Sequence, residues 1–468
     1  MKRLLFFILF TFHFSLFTSF AQEMKPCGTS VLARRHKMAD GASSRARSRK
    51  TPQKNLYLGE KKGLIILVEF TDTKFQSEDS HQIWSDIINL EGYSDNKAPG
   101  SVSDYFYNQS YGQFRLTFDV VGPVQAQHDH AYYGKNKKWE DDTGWFDQNV
   151  GELVEEACLA ASDQVRFADY DWNGDGEVDQ VFLLYAGHGE NDYSSRDSTV
   201  IWPHMASMEE DWGYKGGLLV QDVRINTYAC SNEINRSNKL VGIGTFCHEF
   251  SHCLGLPDLY DTKLGTSVLG NYDLMDTGCY NGNSWCPVGY SSYERYACGW
   301  LTPVEVDDPR AVRGFNPDNG QTRGSGIHVI SSLIRYPDAC IYRTSPDAND
   351  YYLIEYRLKE SWDQYFPKAG LQAWHIDYDE KAWYENTVNN DPYYLRVERM
   401  SPDDIPYDVP GDVNGDGLVN AADVIEVVNA IMGKASDSIQ AEKADVNGDG
   451  VVNTADIVKI TSLILSVF

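Results

Sequence analysis

The residues that most constrain this chain are His248-Glu249-Phe250-Ser251-His252-Cys253-Leu254-Gly255-Leu256-Pro257-Asp258. Residues four apart on an α-helix lie one above the other, so a helix here aims the imidazoles of His248 and His252 at one point in space. That is the spacing of a zinc site. Glu249 stands one residue round, where a carboxylate takes a proton from a zinc-activated water without itself binding the ion. Gly255 lets the helix end in a left-handed turn and Pro257 forbids its continuation, so the chain swings back just where Asp258 arrives. Asp258 is the expected third ligand. Glu294, on an apparently helical segment farther on, is the alternative.

The rest of the chain bounds what such a site belongs to. Lys2 and Arg3, an apolar run over 4–20 and small residues up to Ala21 read as a signal peptide (1–21). No other stretch is apolar enough to span a bilayer, which predicts a secreted or extracellular protein. Between Lys25 and Lys54 nine Lys or Arg stand against the single acid Asp40, while the whole chain carries a net charge of −27. The basic segment, with Ser43-Ser44-Arg45-Ala46-Arg47-Ser48-Arg49-Lys50, reads as a removable propeptide. The very acidic remainder excludes nucleic acid as a partner and suits calcium. Of nine cysteines, only Cys27 leaves with the propeptide. Cys279 and Cys286 bracket a short loop and are candidates to pair, whereas Cys247 and Cys253 lie on different helix faces and read as packing thiols.

Strands are expected over 63–70, 114–124 and 180–186, and helices over 101–110, 147–161 and 243–254. Alternation of this kind before the metal helix predicts an α+β domain over 55–300. Strands over 351–357 and 370–377 predict a β-rich subdomain (301–399), and 400–410, rich in Pro and Asp, a linker. His188, His204 and His375 read as core histidines rather than ligands.

Calcium chemistry recurs three times. Asp171, Asn173, Asp175 and Asp179 offer oxygens at positions 1, 3, 5 and 9 of an EF-hand-like loop with Gly176 at position 6 and Glu177 at 7, but position 12 is Phe182. In the C-terminal stretch 411–468, Asp412, Asn414, Asp416, Asn420 and Asp423, with the Leu418 carbonyl, form a complete set. It is echoed 33 residues later by Asp445, Asn447, Asp449, Asn453 and Asp456 with the Val451 carbonyl. Two Ca2+ ions are expected there and at least one more in the catalytic domain.

The run from Gly255 to Asp258 resembles the elongated metzincin pattern with Asp in place of the third His, and Asn271-Tyr272-Asp273-Leu274-Met275-Asp276 resembles its Met-turn. Residues 55–391 resemble the immune inhibitor A family of secreted bacterial metallopeptidases. The motifs that carry this are Ser103-Asp104-Tyr105-Phe106-Tyr107-Asn108-Gln109-Ser110-Tyr111-Gly112, the loop from Asp171, the metal motif running on to Tyr260-Asp261, and the run from Gly370 to Asp377. The resemblance implies a zincin (metzincin-like) fold with a twisted sheet and an active-site helix. It also implies zinc binding and catalysis by His248, His252 and Glu249. The C-terminal repeat looks like a type I dockerin, a small all-α EF-hand-like module, which implies a cohesin-like partner. Its loop positions 10 and 11 are Ala421-Ala422 and Thr454-Ala455, not the common Ser-Thr pair. Cys27, in Lys25-Pro26-Cys27-Gly28, is similar to the cysteine switch of zymogen matrix metalloproteinases, in which a thiolate occupies the open zinc position.

The expected function is therefore a secreted, calcium-stabilised endopeptidase with one catalytic Zn2+, made as a zymogen and acting on proteins or peptides. Tyr280, near the turn at 271–276, is the candidate oxyanion donor. The alternative is a binding or assembly protein whose dockerin-like module docks it to a cohesin-type or cell-surface partner.

Overall fold

The computed structural model describes residues 55–138, 145–192, 198–316, 321–323, 328–344, 349–406, 411–414, 419–434 and 441–466. Its first sheet comprises β1 (Gly59–Glu69), β2 (Phe114–Gln125), β3 (Val181–His188), β4 (His204–Ser207) and β5 (Thr227–Ile234), in the spatial order β2-β1-β3-β5-β4. All neighbours run parallel except β4, an antiparallel edge strand. The apolar runs at Leu64–Val68 and Val181–Ala186 are wholly buried, as strands of a sheet covered on both faces must be.

Helices α2 (Val150–Ala161) and α3 (Gly244–Cys253) pack on this sheet, and α1 (Val102–Gln109) meets α3. The expected elements correspond to these within a few residues. Every residue of α3 is buried. Phe246 stacks on Phe182 of β3 at 3.9 Å, and Phe250 meets Phe118 of β2 at 5.4 Å and Phe106 of α1 at 4.9 Å. Those rings share one face because they are four apart, which turns His248 and His252 to the other face. The first turn of α3 runs against another backbone: a Cβ on Gly244 would stand 1.8 Å from the Cys279 carbonyl, so no larger residue fits. At the far end Gly255 takes φ +85°, Leu256 N–H donates to Ser251 O and Gly255 N–H to His252 O. This is a Schellman turn, and it reverses the chain as the Gly-x-Pro spacing predicts.

The chain divides into two compact units. One holds the described residues up to Tyr107, Phe114–Gly289 and Glu380–Leu395; the other holds Asn108–Gln113, Tyr290–Asp379 and the described residues from Arg396 onward. The grouping thus does not follow the expected division at 300: the stretch Glu380–Leu395 belongs with the metal helix. The second unit contains a five-stranded sheet built on the antiparallel pair Asp350–Arg357 and Gly370–Asp377, and a three-stranded sheet starting at Val312–Asn316. At its C-terminal end lie the helices Ala421–Ile431, Ala441–Ala444 and Thr454–Ser466, whose apolar core is Val413, Val427, Ala444 and Ile460. Among the described residues, no helix is long and apolar enough to cross a membrane.

Candidate metal centre

His248, His252 and Asp258 converge in the first unit. Asp258 Oδ1 lies 3.2 Å from His248 Nε2 and 3.4 Å from His252 Nε2, and Asp258 is fully buried. Each imidazole is fixed from behind: His248 Nδ1 bonds Leu274 O at 2.9 Å and His252 Nδ1 bonds Leu256 O at 2.7 Å. A ring that donates from Nδ1 to a carbonyl is, when neutral, a bare acceptor at Nε2. Two such acceptors and a carboxylate oxygen within 3.4 Å repel one another unless positive charge lies among them. His248 Nε2 is buried and makes no well-directed hydrogen bond. In a tetrahedral site with bonds of about 2.0–2.1 Å, neighbouring donors stand about 3.3 Å apart, so these separations fit an ion of zinc's size.

The electrostatics agree. Burial, the largest influence on His248, disfavours its charged form, but the carboxylates of Asp258 and Glu249 overcome this and push its pKa up to about 9. Burial likewise opposes the charge on Asp258, yet the two imidazoles hold its carboxyl far below the usual range. Both shifts express one demand, a cation between the nitrogens and the carboxylate.

Glu249 is buried, and its carboxylate reaches the same group, the donor atoms of His248, Glu249 and His252 all lying within 4.8 Å of one another. The cleft in front of it, about 350 Å³, is lined by Asn191, Trp202, Thr245, Tyr260, Cys279 and Tyr280 among others. Tyr280 is 41% exposed. The turn at 271–276 underlies the site: Leu274 supplies the carbonyl for His248, Met275 is buried, and Asp276 accepts from the backbone N–H groups of Val268, Leu269, Gly270 and Thr277.

The other predicted positions fall elsewhere. Glu294 caps its own helix, accepting from Ser291 N–H at 2.7 Å. His204 bonds the Tyr228 hydroxyl, and burial lowers its pKa to about 4. His375 pairs with Asp350. No disulfide joins the eight described cysteines, all of them buried, so the Cys279–Cys286 pairing is not formed; Cys279 Sγ donates to Asp276 O instead. Cys27, Asp416 and Leu418 lie outside the described residues.

The loop at 171–179 is closed by its own carboxylates. Asp171 accepts from Gly174, Asp175 and Gly176 N–H, Asp175 accepts from Glu177 N–H, and Asp179 Oδ2 accepts from Trp172 N–H at 2.5 Å. Glu177 also lies 3.4 Å from Arg224. The loop at 445–456 repeats the pattern: Asp445 accepts from Gly448, Asp449 and Gly450 N–H, Asp449 from Val451, and Asp456 from Asn447 and Asn453. In the partly described loop from Asp412, Asp423 accepts from Val413, Asn414 and Asn420 N–H.

Two features escaped sequence reasoning. Asn386 contacts Asp258 from 128 residues away, and nothing local marks it. His128, Glu152 and Glu156 also bring donor atoms within 4.8 Å; the two glutamates, four apart on α2, were the available signal. Their carboxylates are engaged by the hydroxyls of Tyr132 and Tyr133.

Comparison with known proteins agrees with the geometry. Residues 53–297 match the immune inhibitor A peptidase M6 catalytic domain, and residues 410–465 match the dockerin type I domain. The pre-pro-metalloprotease PrtV of Vibrio cholerae serotype O1 (strain M66-2) is 27% identical over 215 residues, covering 42% of this chain and 23% of that protein. Immune inhibitor A of Bacillus thuringiensis subsp. alesti is 24% identical over 304 residues, 54% of this chain and 42% of that protein. The chain thus spans less than half the length of either relative.

Proposed function

Because this chain belongs to the immune inhibitor A (M6) peptidase family, we propose that it is a zinc-dependent endopeptidase of zincin, metzincin-like fold. His248, His252 and Asp258 hold one zinc ion, and the observation that carries this is the convergence of three acceptors on one buried point. When bound, zinc supplies Lewis acidity that polarises the scissile carbonyl and activates water at neutral pH. Glu249 takes the proton of the attacking water and returns it to the leaving amine. Tyr280, at the cleft and partly exposed, donates its O–H to the developing oxyanion. The backbone carbonyls of Leu274 and Leu256 keep both Nδ1 atoms protonated, so that each Nε2 lone pair stays turned to the ion.

Secretion, latency through residues 22–54 with Cys27 at the zinc, and stabilisation by calcium at 171–179, 412–423 and 445–456 complete the proposal. The proposed domains are those read from the sequence; the grouping of Glu380–Leu395 with the first unit supports adding that stretch to the catalytic part. A second reading, docking to a cohesin-type partner, is favoured by the dockerin match alone and is compatible with the first.

Casein cleavage by propeptide-free protein, with calcium in excess and with or without a zinc chelator, tests the enzyme. Glu249→Ala is expected to retain zinc while turnover falls at least a thousandfold, on the order of 4 kcal/mol of barrier. Cleavage that is indifferent to the chelator sinks the reading. Zinc lost from Glu249→Ala reassigns that residue as a ligand.

A further inference from the structure

The Asp258 carboxylate has two ends with different duties. Oδ1 faces the Nε2 atoms of His248 and His252, whereas Oδ2 accepts a hydrogen bond from Asn386 Nδ2 at 2.6 Å. The same amide accepts, through its Oδ1, from the backbone N–H of Asp258 at 2.7 Å. One side chain therefore grips one residue at two points. The partners also fix which way the amide lies, because only its NH2 can face the carboxylate and only its oxygen can face the N–H. Asn386 is 3% exposed and holds a left-handed backbone, φ +54°, which Asn tolerates better than most residues.

The surrounding segment is tied to the same loop. Thr262 Oγ1 bonds both Asn386 O and Asn390 Oδ1 at 2.9 Å, and Asn389 Nδ2 donates to Leu259 O at 2.9 Å. This strap lies outside the residues matched to the M6 catalytic domain.

We propose that Asn386 is the positioning residue of the metal centre, its amide engaging Oδ2 so that Asp258 presents Oδ1 alone to the ion. This rests on the reading of Asp258 as the third ligand. A carboxylate otherwise turns either oxygen, or both, towards a metal. A donor held on one oxygen removes that freedom before the ion arrives. The residue must be an amide: an acid of the same shape keeps the acceptor for the N–H but sets a second negative charge against Oδ2. Partners of this kind typically contribute 10- to 100-fold in metal affinity.

The test uses the full chain, with zinc affinity measured by competition against a chromophoric chelator and ligand geometry read from the visible absorption of the cobalt(II)-loaded protein. Asn386→Asp conserves shape and left-handed tolerance; Asn386→Gly conserves the backbone and deletes the clamp. Both are expected to weaken zinc binding at least tenfold and to shift the cobalt bands, with far-UV circular dichroism unchanged. Asp258→Asn is the control. If it loses zinc while both Asn386 variants bind within twofold of wild type and keep the cobalt spectrum, Asn386 is merely structural and the proposal is overturned. Should Asp258→Asn bind zinc normally, the third-ligand reading itself fails, and the proposal with it. Affinity lost only in step with unfolding, in both variants, also counts against it.

Discussion

The loops at 171–179 and 445–456 begin alike, Asp171-Trp172-Asn173-Gly174-Asp175-Gly176 against Asp445-Val446-Asn447-Gly448-Asp449-Gly450, and draw the same backbone N–H groups onto their first and fifth carboxylates. They differ in what closes them. The first is latched at position 9 by Asp179 and runs directly into β3, so its twelfth residue, Phe182, is committed to the core. The second is latched at position 12 by Asp456, in the first turn of the helix Thr454–Ser466. One loop hangs from a sheet that folds for other reasons. The other belongs to a small helical stretch, where the buried apolar residues Val413, Val427, Ala444 and Ile460 form a core too small to stand without help. The same opening residues are therefore expected to decide folding in one place and merely trim stability in the other.

The largest effect that exposes this difference is expected from calcium removal. An ion at 100 times its dissociation constant stabilises a site by about 2.7 kcal/mol, and two such sites exceed what so small a core supplies. A fragment spanning 410–468 should lose most of its helical circular dichroism in chelator and regain it with calcium, while the sheet of the intact protein persists. A fragment spectrum indifferent to chelator breaks the contrast.

Acid should separate the same regions by another route. His204 is buried and its pKa falls to about 4, below the unfolded value of about 6.5. Between those values the unfolded chain binds more protons, so stability rises with pH and is lost as pH falls from about 6.5 through 4. The loss should reach roughly 3 kcal/mol near pH 4. The C-terminal stretch from residue 411 contains no histidine, so this sensitivity belongs to the first unit. His204→Gln, if it folds, should flatten the decline measured by urea melts between pH 4 and 7. An unchanged slope would assign the acid lability to other groups.

How much of this was visible in the sequence follows from how local each feature is. The turn of α3 at Gly255, the convergence of His248 and His252, and the nests at Asp171 and Asp445 are all made within about a dozen residues, so spacing alone displays them. The partners of the aromatic face of α3, Phe118 and Phe182, were not legible, because only the sheet order supplies them. Asn386 was illegible: it follows a five-residue helix, Glu380–Tyr384, in a stretch that reads as part of another domain, and its meaning exists only once the chain has returned to Asp258. The grouping of Glu380–Leu395 with the first unit was illegible for the same reason, since the stretch carries no compositional mark of where it packs.

The finest test of the contrast replaces the same first-position carboxylate in each loop of the intact protein. Asp171 holds Gly174, Asp175 and Gly176 N–H, three groups that are exposed, so water substitutes for it at low cost. Asp179 would still hold Trp172, and Trp172 Nε1 would still donate to Lys62 O on β1. Asp171→Ala should therefore cost about 1–2 kcal/mol, a shift of a few degrees in the main melting transition, with casein cleavage retained at room temperature. Asp445→Ala removes the equivalent hydrogen bonds in a loop that leads into the helix Thr454–Ser466 rather than into a buried strand. It should abolish the calcium-dependent gain of helicity in the C-terminal module while leaving the main transition untouched. If Asp171→Ala instead unfolds the first unit, its loop is a folding determinant after all, and the two loops differ in latch but not in consequence.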